Sequence, residues 1–146
     1  MSIESNKAYA YAQWCVQPEN RKVGIYIKKQ AESWLRIADG RDAEAFVDEA
    51  AVERVNNLLR VITHPDLGCS MDEGMERYAW LLIIAALCTK KRDPENRDIR
   101  YYETVLLEIS RKNFKTLLGG AFYSPAFDRT EIFKILLGGT GSEAFQ

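Results

Sequence analysis

Apolar residues recur at helical intervals through roughly the first ninety positions, and each run is cut by residues that end helices. That alternation restricts this part of the chain to a helical fold built from several short pieces. The clearest run is Val52, Val55, Leu58, Leu59 and Ile62, spaced by three and four, with Asp48 or a neighbour placed to cap it and His64-Pro65 to stop it. Ahead of it, Lys7 to Val16 carries small and aromatic residues and predicts a short helix ended by Pro18, Glu19 and Asn20. A second helix is predicted from about Val23 to Ala38, mixing Ile25, Ile27, Trp34, Leu35 and Ile37 with Lys28, Lys29, Gln30, Glu32 and Arg36, and closing at Asp39-Gly40. Pro65 to Gly74 reads as a loop, Glu76 to Thr89 as an apolar helix expected to be buried, and Lys90 to Asp98 as a charged connector.

At Tyr101 the pattern changes. Tyr101 to Ile109 is short, rich in β-branched and aromatic residues and bounded by polar sequence, which predicts a strand. Five of the nine glycines then fall in the last thirty residues, and these pairs leave room only for a weak helix from about Arg129 to Leu137. The 146 residues, 47% of them hydrophobic, suffice for one core without metal or disulfide staples. Lys and Arg number 20 against 21 Asp and Glu, so no global field gathers nucleic acid, and direct nucleic-acid binding is not expected. Cys15, Cys69 and Cys88 are odd in number and widely spaced, which argues against a disulfide framework and a zinc site. The longest apolar run, Ala79 to Cys88, is too short to span a bilayer, and no signal peptide or membrane partner is expected.

The segment that carries chemistry is Tyr101 to Thr116, a hydrophobic strand followed by a polar turn ending in Lys-Thr. A phosphate-binding loop has that layout: backbone N–H groups after the strand face the phosphates, a lysine supplies a point charge and a hydroxyl holds Mg²⁺. Lys115 and Thr116 stand in those two places. Phe114 stands where the standard pattern has glycine, so a solvated basic turn of Arg111, Lys112 and Lys115 is the other reading. His64 is the lone histidine and reads as a helix-end polar residue, since no triad or multi-histidine metal site can be completed. Trp14, Trp34 and Trp80 fall on apolar helical faces and read as core or subdomain interface rather than as base-stacking platforms. Lys90, Lys91, Arg92, Arg97 and Arg100 are interleaved with Asp93, Glu95 and Asp98 and read as a solvated loop rather than a phosphate patch. Asp39, Asp42, Glu44, Asp48 and Glu49 single out no acid/base pair, and Phe46-Val47-Asp48-Glu49 reads as the start of a helix.

The strand-turn segment resembles the Walker A region of the terminase large subunits of tailed bacteriophages, in which Arg-Lys-Asn-x-Lys-Ser/Thr follows a hydrophobic strand. Ala8-Tyr9-Ala10-Tyr11-Ala12, the helix with Lys28-Lys29-Gln30, and Tyr78-Ala79-Trp80-Leu81-Leu82-Ile83 also resemble that family's N-terminal region, so the likeness covers about Lys7 to Thr116. The resemblance implies a DNA-packaging ATPase of the bacterial host's cytoplasm. In it Arg111, Lys112 and Asn113 belong to the nucleotide-binding loop, Lys115 binds phosphate and Thr116 assists Mg²⁺. Some members carry a glutamine for adenine contact near the position that Trp80 fills here. No acidic Walker B strand follows the loop, and the family's nuclease domain is absent, so weak ATP and Mg²⁺ binding without hydrolysis is expected. The implied fold is mainly α: a helical lid-like or regulatory region over 1–65, the start of a P-loop ATPase domain over 66–116, including its first strand, and an out-of-family Gly-rich tail over 117–146. Codons for Asp128 to Phe145 can be chosen so that the next reading frame resembles the segment terminases carry after the loop, which suggests a frameshift truncation. The competing expectation is a stand-alone, phage-derived helical protein that engages a packaging-motor component, or engages or inhibits a host protein such as a defence nuclease.

Overall fold

The computed structural model describes residues 2–96, 98–108 and 134–138, and the chain divides into two compact units, Met1–Tyr102 and Glu103–Gln146. The described fold is mainly helical. The first unit holds a 3₁₀ turn at Ile3–Ser5, then α1 (Lys7–Val16), α2 (Ile25–Ala38), strand β1 (Ala45–Val47), α3 (Glu49–Val61), the single turn α4 (Met71–Gly74), α5 (Arg77–Cys88) and strand β2 (Thr89–Lys91). The expected division after residue 65 falls inside this unit.

Each helix begins and ends where local chemistry dictates. Asn6 caps α1 through its side-chain oxygen, which accepts from the Ala8 N–H at 2.8 Å, and Asp48 caps α3 by accepting from the N–H groups of Ala50 and Ala51. Helix α2 ends in a paired motif: Gly40 N–H donates to the Ile37 carbonyl at 3.0 Å and Arg41 N–H to the Arg36 carbonyl at 2.9 Å. That ending needs the φ of +73° that Gly40 adopts without a Cβ clash.

Helix α5 is apolar around most of its circumference and accordingly sits in the core, burying Ala79, Trp80, Ile83, Ile84, Ala86, Leu87 and Cys88. Helix α1 packs on both α2 and α5, and α3 packs on α5 and α4. The close approach of α1 follows from its buried stripe of small residues, Ala8, Ala12 and Cys15, spaced by four and three. Asn6 and Asn56, both buried, join the start of α1 to α3 through an amide–amide hydrogen bond of 3.4 Å.

Strands β1 and β2 pair antiparallel, with Ala45 opposite Lys91, Phe46 opposite Lys90 and Val47 opposite Thr89. A third line joins them, since Lys91 N–H donates to the Ile99 carbonyl at 2.8 Å and Tyr101 N–H to that of Thr89 at 2.9 Å. This corrects two expectations. Lys90 to Asp98 does not run as a solvated connector throughout, because Thr89–Lys91 is a strand and Lys90 is buried. Phe46-Val47 ends a strand, and only Asp48 begins the helical cap. The predicted loop at Pro65 to Gly74 is closed by a Thr63–Ser70 bridge and finishes in the α4 turn.

In the second unit, strand β3 (Thr104–Glu108) pairs in parallel with β4 (Lys134–Gly138), Thr104 lying opposite Lys134 and Glu108 opposite Gly138. Of the strand expected over Tyr101 to Ile109, Thr104–Glu108 is extended and paired, and Ile109 lies outside the described residues. The weak helix expected from about Arg129 to Leu137 is corrected, since Lys134–Gly138 is extended and hydrogen-bonded to β3. The pairing with β3 overrides the helix propensity of Leu136 and Leu137, and the Gly138-Gly139 pair that follows gives a short helix little support.

Among the described residues no helix is long and apolar enough to cross a membrane. Cys15 and Cys88 are fully buried, and burial raises both thiols, that of Cys88 to about 12. Alkylation of the native protein with iodoacetamide, read by peptide mass spectrometry, is therefore expected to modify the half-buried Cys69 first. Cys15 and Cys88 should react at least about tenfold more slowly until the protein is unfolded, because the reagent needs both access and thiolate. Equal labelling of all three thiols in the native state would contradict their placement.

Candidate functional site

The residues singled out for phosphate binding, Arg111, Lys112, Asn113, Lys115 and Thr116, lie outside the described residues. What is described is the strand ahead of them and its partner. Parallel strands cannot be joined by a tight turn and need a connection of roughly a dozen residues or more. Between Glu108 and Lys134 there are 25 residues (109 to 133), and the Lys-Thr pair falls near the beginning of that connection. Strand, polar turn, crossover and parallel strand is the order in which phosphate-binding loops are built.

Ahead of this strand the first unit contains a polar centre that sequence reasoning missed. Lys90 is only 6% exposed, and its ammonium lies 3.0 Å from Asp48 Oδ2 and 2.8 Å from Asp98 Oδ1. Three stretches of chain meet there: the cap of α3, strand β2 and the segment that returns along β2. Burial alone pulls the Lys90 pKa down, but donation to Asp98 and Asp48 more than reverses this and leaves it above the ordinary lysine value. Burial pushes the Asp48 carboxyl up, while Lys90 and the N–H groups of Ala51 and Ala50 outweigh it and hold the carboxyl below the ordinary range. Every partner that the group requires is already present, so the arrangement is that of a buried cross-link. Arg92 extends the tie by donating through Nε to the carbonyls of Asp42 and Ala45. The expected solvated basic cluster is therefore corrected at Lys90, whose charge binds this chain's own carboxylates, whereas Arg92 is exposed as expected and donates to backbone carbonyls.

His64 lies just past the end of α3, as expected, and is buried, its Nδ1 accepting from the N–H groups of Asp66 and Leu67, each at 3.2 Å. The imidazole thus folds the turn after Pro65 around itself. Its ring and the Cys69 sulfur pack under Gly74, where a Cβ would come within 2.9 Å of His64 Cδ2 and 3.1 Å of Cys69 Sγ. Among the described residues no three His, Cys, Asp or Glu side chains come together as a metal site. Trp34 and Trp80 are core residues, each 2% exposed, as their helical faces led one to expect. Trp34 donates to Thr89 Oγ1 at 3.1 Å, whereas the buried Trp80 Nε1 has no hydrogen-bond partner among the described residues and its ring carries the Lys7 ammonium at 5.3 Å. Trp14 is 40% exposed, so it is not a core residue, and it stacks on Tyr11. Asp39 accepts from the Tyr9 hydroxyl at 2.6 Å and pairs with Arg41 at 2.7 Å, which ties α1 to the end of α2.

No protein-family model, no curated protein and no solved structure matches the chain.

Proposed function

We propose that this chain is the front part of a DNA-packaging terminase large subunit of a tailed bacteriophage, ending its family likeness just after the phosphate-binding loop. The observation that carries the reading is strand β3, Thr104–Glu108, which lies in the chain just before Arg111-Lys112-Asn113-Phe114-Lys115-Thr116. In that reading Lys115 supplies the charge that meets the β- and γ-phosphates of ATP, Thr116 supplies a hydroxyl to Mg²⁺, and Arg111 and Lys112 add positive potential at the loop. In that reading ATP with Mg²⁺ is bound weakly, since Phe114 stands where the standard loop has the glycine that lets the backbone approach the phosphates.

A second reading is favoured by the compactness of Met1–Tyr102, which has its own core of Trp34, Ile37, Val55, Leu59, Ile83 and Ile84. Such a unit can act as a binding protein for a packaging-motor component or a host protein without any nucleotide. Titration calorimetry with ATP and Mg²⁺ on the full chain and on Lys115→Ala separates the two. The terminase reading expects weak binding by the parent chain and at least about a tenfold loss in the variant, since a charge-assisted phosphate contact is removed. Absence of binding by both would sink the phosphate-loop assignment and leave the helical unit as the functional part.

A further inference from the structure

We infer that the tip joining α1 to α2 is a docking surface for an anionic lipid bilayer. The inference is independent of the phosphate loop. Helices α1 and α2 pack together and are joined by residues 17–24, so the end of α1 and the start of α2 share one end of the pair. The joining segment is fastened there, with Asn20 donating through its side chain to the Trp14 carbonyl at 3.2 Å and through its N–H to that of Gln17 at 3.0 Å. At this end Trp14 is 40% exposed, Ile25 64%, Tyr26 80% and Ile27 49%. Flanking the three consecutive apolar residues are Arg21, Lys22, Lys28 and Lys29, with no acidic residue between Asn20 and Ala31. Among the described residues none of these four cations pairs with a carboxylate, although the whole chain carries a net charge of -1.

The arrangement of the apolar groups decides between the anionic partners that four free cations would attract. Ile25, Tyr26 and Ile27 are successive residues of one helical turn and point about 100° apart, so they crown the helix end instead of lining one face. A protein groove that receives a helix reads anchors three and four apart on a single face. Nucleic acid rewards stacking on Trp14 and Tyr26 but offers nothing to two isoleucines. A bilayer accepts apolar side chains all round an inserted tip, seats tryptophan and tyrosine at the headgroup level, and attracts a collar of lysine and arginine through its surface potential.

The test is co-sedimentation of the full chain with vesicles of phosphatidylglycerol and phosphatidylethanolamine, against vesicles of phosphatidylcholine alone, at physiological salt. Binding to the anionic vesicles only is expected, accompanied by a blue shift of tryptophan emission that Trp14→Phe abolishes. The triple variant Ile25→Ser, Tyr26→Ser, Ile27→Ser should bind at least about tenfold more weakly, and Lys28→Glu about fivefold more weakly or worse. Serine is well tolerated at a helix start, and circular dichroism checks that each variant remains folded. Failure to bind anionic vesicles, or binding unchanged by the triple variant, overturns the proposal. So does preferential capture of a single-stranded oligonucleotide with no vesicle binding.

Discussion

Replacing Trp34 with alanine is expected to lower the stability of the helical unit by about 4 kcal/mol, the usual range for truncating a buried aromatic. Trp34 is 2% exposed and belongs to the innermost group of side chains with Ile37, Leu59 and Ile83. Two losses combine in the variant. A large apolar volume is vacated in a core that relaxes only partly, and the fully buried Thr89 loses the indole N–H that donates to its hydroxyl at 3.1 Å. Trp34→Phe separates them, because it keeps most of the ring contact and removes only the donor, at an expected cost of about 1–3 kcal/mol. In a unit of this size a loss of about 4 kcal/mol lowers the melting temperature by roughly 20 °C and consumes much of a normal folding free energy. Urea unfolding followed by far-ultraviolet circular dichroism measures both effects. A midpoint for Trp34→Ala close to that of the parent would show that the indole is not a core element.

What the sequence made legible were features whose causes are local. The Asp48 cap, the three-and-four spacing of Val52, Val55 and Leu59, the Asp39-Gly40 ending of α2 and the stop at His64-Pro65 each depend on a few neighbouring residues, and each reappears in the fold. Strands β1 and β2 escaped because they are three residues long and pair across the intervening α3, α4 and α5. No turn signal announces such a pairing, and Ala-Phe-Val and Thr-Lys-Lys have no period long enough to read. Lys90 was misread for the same reason: composition places it in a charged run, but its burial is decided by Asp48, forty-two positions earlier. The Lys134–Gly138 segment went astray because a short apolar run, Ile135-Leu136-Leu137, ahead of a glycine pair fits a helix or a strand until its partner is known. For the proposed phosphate loop the sequence supplies residue types and order, with Phe114 in the place of the usual glycine.

Asp48→Ala should destabilise the first unit by about 3 kcal/mol, whereas Lys90→Met should cost about 1 kcal/mol or less. The asymmetry follows from what each change leaves behind. Without Asp48, α3 loses the oxygen that accepts from Ala50 and Ala51, worth about 1 kcal/mol, and a lysine whose side chain is 8% exposed keeps only the exposed Asp98 as partner. Without Lys90, methionine fills the volume with no charge to desolvate, and Asp48, still bonded to two N–H groups, can be reached by water through its 23% exposed side chain. The same pair shapes the pH profile. The Asp48 carboxyl lies below its ordinary pKa in the folded chain, so its contribution is present above about 3.9 and is lost as pH falls through the lower folded value. Lys90 lies above its ordinary pKa, so its contribution is complete below about 10.4 and is lost as pH rises through the higher folded value. Stability measured by urea unfolding should hold between these limits and fall outside both, and Lys90→Met should flatten the alkaline fall while weakening the acid one. If Asp48→Ala cost no more than Lys90→Met, the buried lysine would not depend on the α3 cap, and the cross-link between α3 and β2 would have to be abandoned.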